Sequence, residues 1–85
     1  MQVSLIEMKA GEDGIVVKVL GGHGLISRLD ALGIRLCKKI TKVNSMLMRG
    51  PVVVNVDNMT IALGYGMAKK IIVEVADENP AHGQS

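Results

Sequence analysis

Few side chains in this sequence could do chemistry, and their spacing is poor for it. Nucleophilic catalysis needs a nucleophile held beside an oriented base. The chain offers one cysteine, Cys37, one histidine outside the terminal segment, His23, and no compelling third partner. Gly21-Gly22-His23-Gly24 is glycine-rich and precedes a helix-forming run, as phosphate loops do. It lacks both the Gly-Lys-Ser/Thr ending of a P-loop and the spacing of a dinucleotide fingerprint, so its glycines are read as a sharp strand-to-helix turn. The chain is expected not to be an enzyme. For a transition metal, the candidate ligands are His23 and Cys37, with His82, Glu7, Asp57 and the methionines further off. His23 and Cys37 lack paired-ligand spacing. A lone histidine in a glycine-rich loop is more often an exposed polar residue. A lone cysteine between Leu36 and Ile40 is more often a small buried hydrophobe. No cofactor is required by this inventory.

Two segments suit contact with a partner better than they suit catalysis. Met46, Leu47 and Met48 form an apolar triplet in an expected loop, and methionine surfaces adapt to partner shape. Beside them, Arg35, Lys38, Lys39, Lys42 and Arg49 fall in a stretch without an acidic residue, although the formal net charge is only +2. Such a run could dock on acidic protein, anionic lipid or nucleic acid. The competing reading is lysines on the solvent face of a strand, with the triplet folded back on the barrel mouth. Tyr65 is the single aromatic residue. Polyproline recognition needs an aromatic-lined groove, and single-stranded nucleic acid needs aromatic stacking, so neither is expected.

The elements that would position these residues are short. Eighty-five residues make one domain. The apolar content, 48%, comes from Val, Ile, Leu and six Met, without Phe or Trp. No apolar run reaches the roughly 18–20 residues of a membrane span. The N-terminus lacks the basic and apolar regions of a secretory signal, and an unpaired cysteine fits a reducing compartment, so a cytoplasmic location is expected. Ser4 and Glu7 have capping-box spacing, read as one short helical turn. Residues 15–20 read as the first strand. Leu25, Leu29 and Leu32 place an apolar stripe on a short helix, with Ile26 beside it and Gly33 as its C′ residue. Residues 38–43 read as a second strand whose imperfect alternation suggests a bulge or bend. Residues 52–56 and 59–63 form a hairpin across Asp57-Asn58, residues that tolerate positive φ. A one-turn helix at residues 64–69 and a strand at 71–75 complete a mainly β, five-stranded barrel. The domain is expected over residues 1–76, and residues 77–85 as a disordered tail.

The pattern LIEMKAGEDGIVVKVLGGHGLISRLDALGI, followed by GPVVVNVDNMTIALGYGMAKKIIVEV, resembles the ferrous-iron transport protein A (FeoA) family. Gly11, Gly14, Gly21, Gly22, Leu25, Arg28, Leu29, Leu32, Gly33 and Ile34 carry the first half of the match, and Pro51, Val52, Ile61, Ala62, Leu63, Ala68 and Ile71 the second. Most are fold-determining positions. The resemblance covers about residues 3–75 and implies an SH3-like barrel capped by one or two short helices. It also implies a role as a cytosolic accessory of the ferrous-iron permease, a membrane protein with a GTP-binding domain, affecting its assembly or activity. Contact with the membrane would then come through the permease. The same domain resembles the C-terminal part of iron-dependent repressors, but no DNA-binding helix-turn-helix is attached here. Family members commonly carry a Pro-Gly-like turn where this chain has Leu36-Cys37. If position 37 needs positive φ, cysteine there costs on the order of 1 kcal/mol relative to glycine.

The sequence is therefore read as an adaptor in ferrous-iron uptake. The alternatives are a metal-responsive regulator binding Fe2+ or Zn2+ and, ranked lower, a basic nucleic-acid-binding barrel. Monomer and homodimer are both left open.

Overall fold

A computed structural model describes residues 1–44 and 48–76. In chain order the elements are β1 (Gln2–Ser4), β2 (Asp13–Val19), α1 (His23–Ala31), β3 (Lys39–Lys42), β4 (Val52–Val56), β5 (Met59–Leu63), α2 (Tyr65–Ala68) and β6 (Ile71–Val75). The strands make one antiparallel sheet in the order β1-β6-β2-β3-β4-β5, with β1 and β5 at its two ends. Strand periodicity builds the core. Val52, Val54 and Val56 of β4 and Ile71, Val73 and Val75 of β6 are buried, while Asn55 and Glu74 between them face outward. Leu5, Val16, Leu29 of α1, Ile34 and Ile40 join them in one buried core.

The mainly β class is as the sequence indicates, but there are six strands rather than five. The missed strand is β1, which pairs with β6 through Gln2–Glu74, Val3–Val73 and Ser4–Ile72. Only half of the capping box forms: the Ser4 N–H donates to Glu7 Oε1 (2.9 Å), while the Glu7 N–H donates to the Ser4 backbone carbonyl (3.0 Å) as in a simple turn. They close a turn at the end of a strand instead of starting a helix, because Leu5 drops into the core and its N–H bonds the Ile71 carbonyl at 3.0 Å. The bulge also lies elsewhere. The register shift is in β2, between Val16 and Lys18 opposite β6. β3 alternates regularly, and its pattern reads as imperfect only because a lysine, Lys42, occupies an inward position.

The hairpin between β4 and β5 turns on Asp57 (φ 51°) and Asn58 (φ 65°), both left-handed as a two-residue turn of this kind requires. Residues 45–47, which include Met46 and Leu47, and the expected tail 77–85 lie outside the described residues. Among the described residues no helix is long and apolar enough to cross a membrane.

Candidate functional site

Helix α1 is held by its C-terminus. The Gly33 N–H donates to the Asp30 carbonyl and the Ile34 N–H to the Leu29 carbonyl, each at 2.9 Å, with Gly33 at φ 85°. This is the bond pattern of a Schellman motif, and it sends Ile34 into the core beside Leu29. The chain then turns at residues 35–38, closed by the Lys38 N–H on the Arg35 carbonyl (3.2 Å). The turn is stapled to β2 from both sides: the Cys37 N–H donates to the Val16 carbonyl (2.8 Å), and the Val16 N–H to the Lys38 carbonyl (2.9 Å). Cys37 has φ 71°, so the position does require the left-handed conformation that glycine adopts most easily.

Between α1 and this turn lies an open groove of ≈ 540 Å³. Its apolar walls are Val19, Ile26, Ile34 and Leu36, and its rim carries His23, Ser27 and the Asp30–Arg35 ion pair (3.0 Å). Ile26 and Leu36 are 44% and 59% exposed, high values for large aliphatic side chains. The apolar stripe explains why: Leu29 points inward and Leu25 is half-buried, which turns Ile26 out towards the groove. Sequence reasoning missed this site. The available signals were Ile26 beside the stripe and an aliphatic Leu36 in the turn where family members commonly carry Pro-Gly.

The basic run divides. Arg35 pairs with Asp30, Lys38 Nζ with Asp57 (2.8 Å) and Lys39 Nζ with Asp13 (3.6 Å), so acidic residues outside the run, two of them distant in sequence, offset much of its charge. Asp13 also accepts a hydrogen bond from Thr41 Oγ1 (2.5 Å). That bond is the largest influence and, with a lesser contribution from Lys39, holds its carboxyl below the ordinary value against the opposing effect of desolvation, which ranks second. Lys42 does not belong to any docking face. It is 3% exposed, and its amine donates to the carbonyls of Ile6 (2.9 Å) and Met8 (2.7 Å), pinning the segment between β1 and β2. Desolvation lowers its pKa, with Glu12 pulling the other way. The physical reason for this correction is strand parity: Lys42 follows Ile40 on the inward face of β3.

Met48 is 92% exposed at φ 59°. Arg49 lies over the Tyr65 ring at 5.6 Å, within cation–π range. His23 lines the groove, whereas Cys37 is exposed on the neighbouring turn and does not line it; the expectation of a buried cysteine is corrected. Among the described residues no group of three or more His, Cys, Asp or Glu side chains is gathered as metal ligands.

The FeoA domain family model matches residues 3–75. A protein of Methanocaldococcus jannaschii, provisionally named Fe(2+) transport protein A, is 38% identical over 69 residues, spanning 81% of this chain and 82% of its own length. The crystal structure of an iron uptake regulatory protein (FeoA) superposes with a TM-score of 0.80 at 36% identity, covering 89% of this chain and 99% of that one. A manganese-dependent transcriptional repressor has a TM-score of 0.79 at 21% identity; the match covers 88% of this chain but 42% of the repressor, and it speaks for the fold alone. With the family model matching residues 3–75 and a relative 38% identical over most of both lengths, the chain belongs to the FeoA family, whose proteins are associated with ferrous-iron transport.

Proposed function

We propose that this protein is a non-enzymatic accessory of the ferrous-iron permease, docking on the permease's cytosolic side through the groove between α1 and the turn at residues 35–38. The observation that carries this reading is the exposed apolar pair Ile26 and Leu36 on a hydrogen-bonded frame, rimmed by the Asp30–Arg35 ion pair. Exposed apolar concavities of this kind suit an inserted side chain of a partner. The partner in this proposal is the one that the resemblance to the FeoA family implies. The protein acts in the cytoplasm and reaches the inner face of the membrane through that contact. With Arg35, Lys38 and Lys39 each facing an acid, the basic run serves as the polar border of the contact rather than as a strong steering field.

The test is retention of detergent-solubilised permease on this protein, with and without guanine nucleotide. Specific retention is expected, and a nucleotide dependence would assign the contact to the GTP-binding domain or its coupling. Absence of retention in both conditions would overturn the reading.

A further inference from the structure

The sheet ends on a strand that carries none of the usual protections. β5 bonds to β4 on one side, in unbroken register from Val52–Leu63 to Val56–Met59, and to nothing on the other among the described residues. Natural edges are commonly blunted by charge, proline, a bulge or extreme shortness. Met59-Thr60-Ile61-Ala62-Leu63 has no charge and no proline, its pairing has no register shift, and it is five residues long. The opposite edge is different. β1 has three residues, and the ammonium of Met1 pairs with Glu74 beside it.

We propose that the free edge of β5 pairs antiparallel with the same strand of a second copy of this chain, about a two-fold axis through Ile61. The sequence of β5 is complementary to itself in that register. Met59 comes opposite Leu63 of the partner subunit, Ile61 opposite its equivalent, and Thr60 opposite Ala62 of the partner subunit. Because strand side chains alternate, Met59, Ile61 and Leu63 share one face, so the pairing extends an apolar row that now ends in a 60% exposed Met59. Charge does not oppose it. The one charged residue from position 57 to 65 is Asp57, which comes opposite Tyr65 of the partner subunit. A foreign strand would satisfy the same backbone groups, but only a second copy guarantees this matching of apolar to apolar and small to small. Five residues span about 17 Å, which places the contact among small, transient interfaces. Dimerisation should therefore depend on concentration.

Sedimentation velocity from about 10 µM to about 1 mM tests this. The mass should rise from 9.0 kDa towards twice that value. Thr60 and Ala62 are exposed, so changing them spares the core. In Thr60→Lys/Ala62→Lys, two symmetry-related pairs of like charges face each other, and association should weaken about tenfold. In Thr60→Glu/Ala62→Lys, opposite charges face each other in the same register, and association should be restored or strengthened. A monomer at every concentration, or two double variants that associate equally, would overturn the proposal.

Discussion

Replacing Lys42 by Met separates a structural lysine from a docking lysine. The substitution keeps the buried alkyl volume but removes the amine that bonds the Ile6 and Met8 carbonyls at 2.9 and 2.7 Å. A hydrogen bond to a charged group contributes about 1.5–3 kcal/mol, so two give a gross loss of about 3–6 kcal/mol. Methionine also relieves the cost of holding an ammonium out of water, the same desolvation that lowers the Lys42 pKa. That gain returns part of the loss, and a net destabilisation of about 2–3 kcal/mol is expected. For a domain of this size the melting temperature should fall by about 10–20 °C. Far-UV circular dichroism with thermal and urea unfolding is the assay, since the chain has no Trp. A pH series adds a second readout. Because the folded-state pKa is depressed, the unfolded chain binds more protons between that value and 10.5, so wild-type stability should rise with pH through this window. The neutral amine still has hydrogens for both carbonyls. This rise should vanish in Lys42→Met. A variant as stable as the wild type would refute the reasoning, since burial of the charge would then outweigh its bonds.

Cys37→Gly should stabilise the protein by about 0.5–1 kcal/mol, the relief of a left-handed φ less the chain entropy that glycine adds. An unchanged urea midpoint would contradict that account. Thr41→Val should raise the Asp13 pKa, read by NMR titration of the carboxyl, because the Thr41 hydroxyl is the chief cause of its depression. Asp13 supports the fold above its ordinary value, 3.8, and its contribution is lost as pH falls through the lower folded-state value. Thr41→Val should accordingly move the acid-unfolding limb to higher pH, and an identical limb would count against the bond.

Much of the fold is legible in the sequence because local rules and packing agree there. The short β-branched runs of β4 and β6 each carry one polar residue on the outward face, Asp57-Asn58 suit a left-handed turn, and Gly33 ends α1 as its position suggests. The strained turn at Leu36-Cys37 is visible as a departure from the family pattern. β1 escapes notice because three residues carry no periodicity, and a capping-box spacing serves a turn as well as a helix. The candidate site is less legible for a different reason. A run of like charges in sequence says nothing about the acids that topology brings to it, and Asp13, Asp30 and Asp57 arrive from β2, α1 and the hairpin. Nor does sequence alone show that Lys42 points inward or that Ile26 and Leu36 face the same groove.

The central claim is that the groove, not the basic run, makes the contact with the permease. Its most direct test compares the affinity of solubilised permease for the wild type, for Ile26→Ser/Leu36→Ser and for Lys38→Glu/Lys39→Glu. Fully burying an aliphatic side chain contributes about 1.5–3 kcal/mol, so losing two that are partly buried in the contact should weaken binding about tenfold, while the charge variant changes mainly the salt dependence. Unchanged affinity in the groove variant, with loss of binding in the charge variant, would contradict the account.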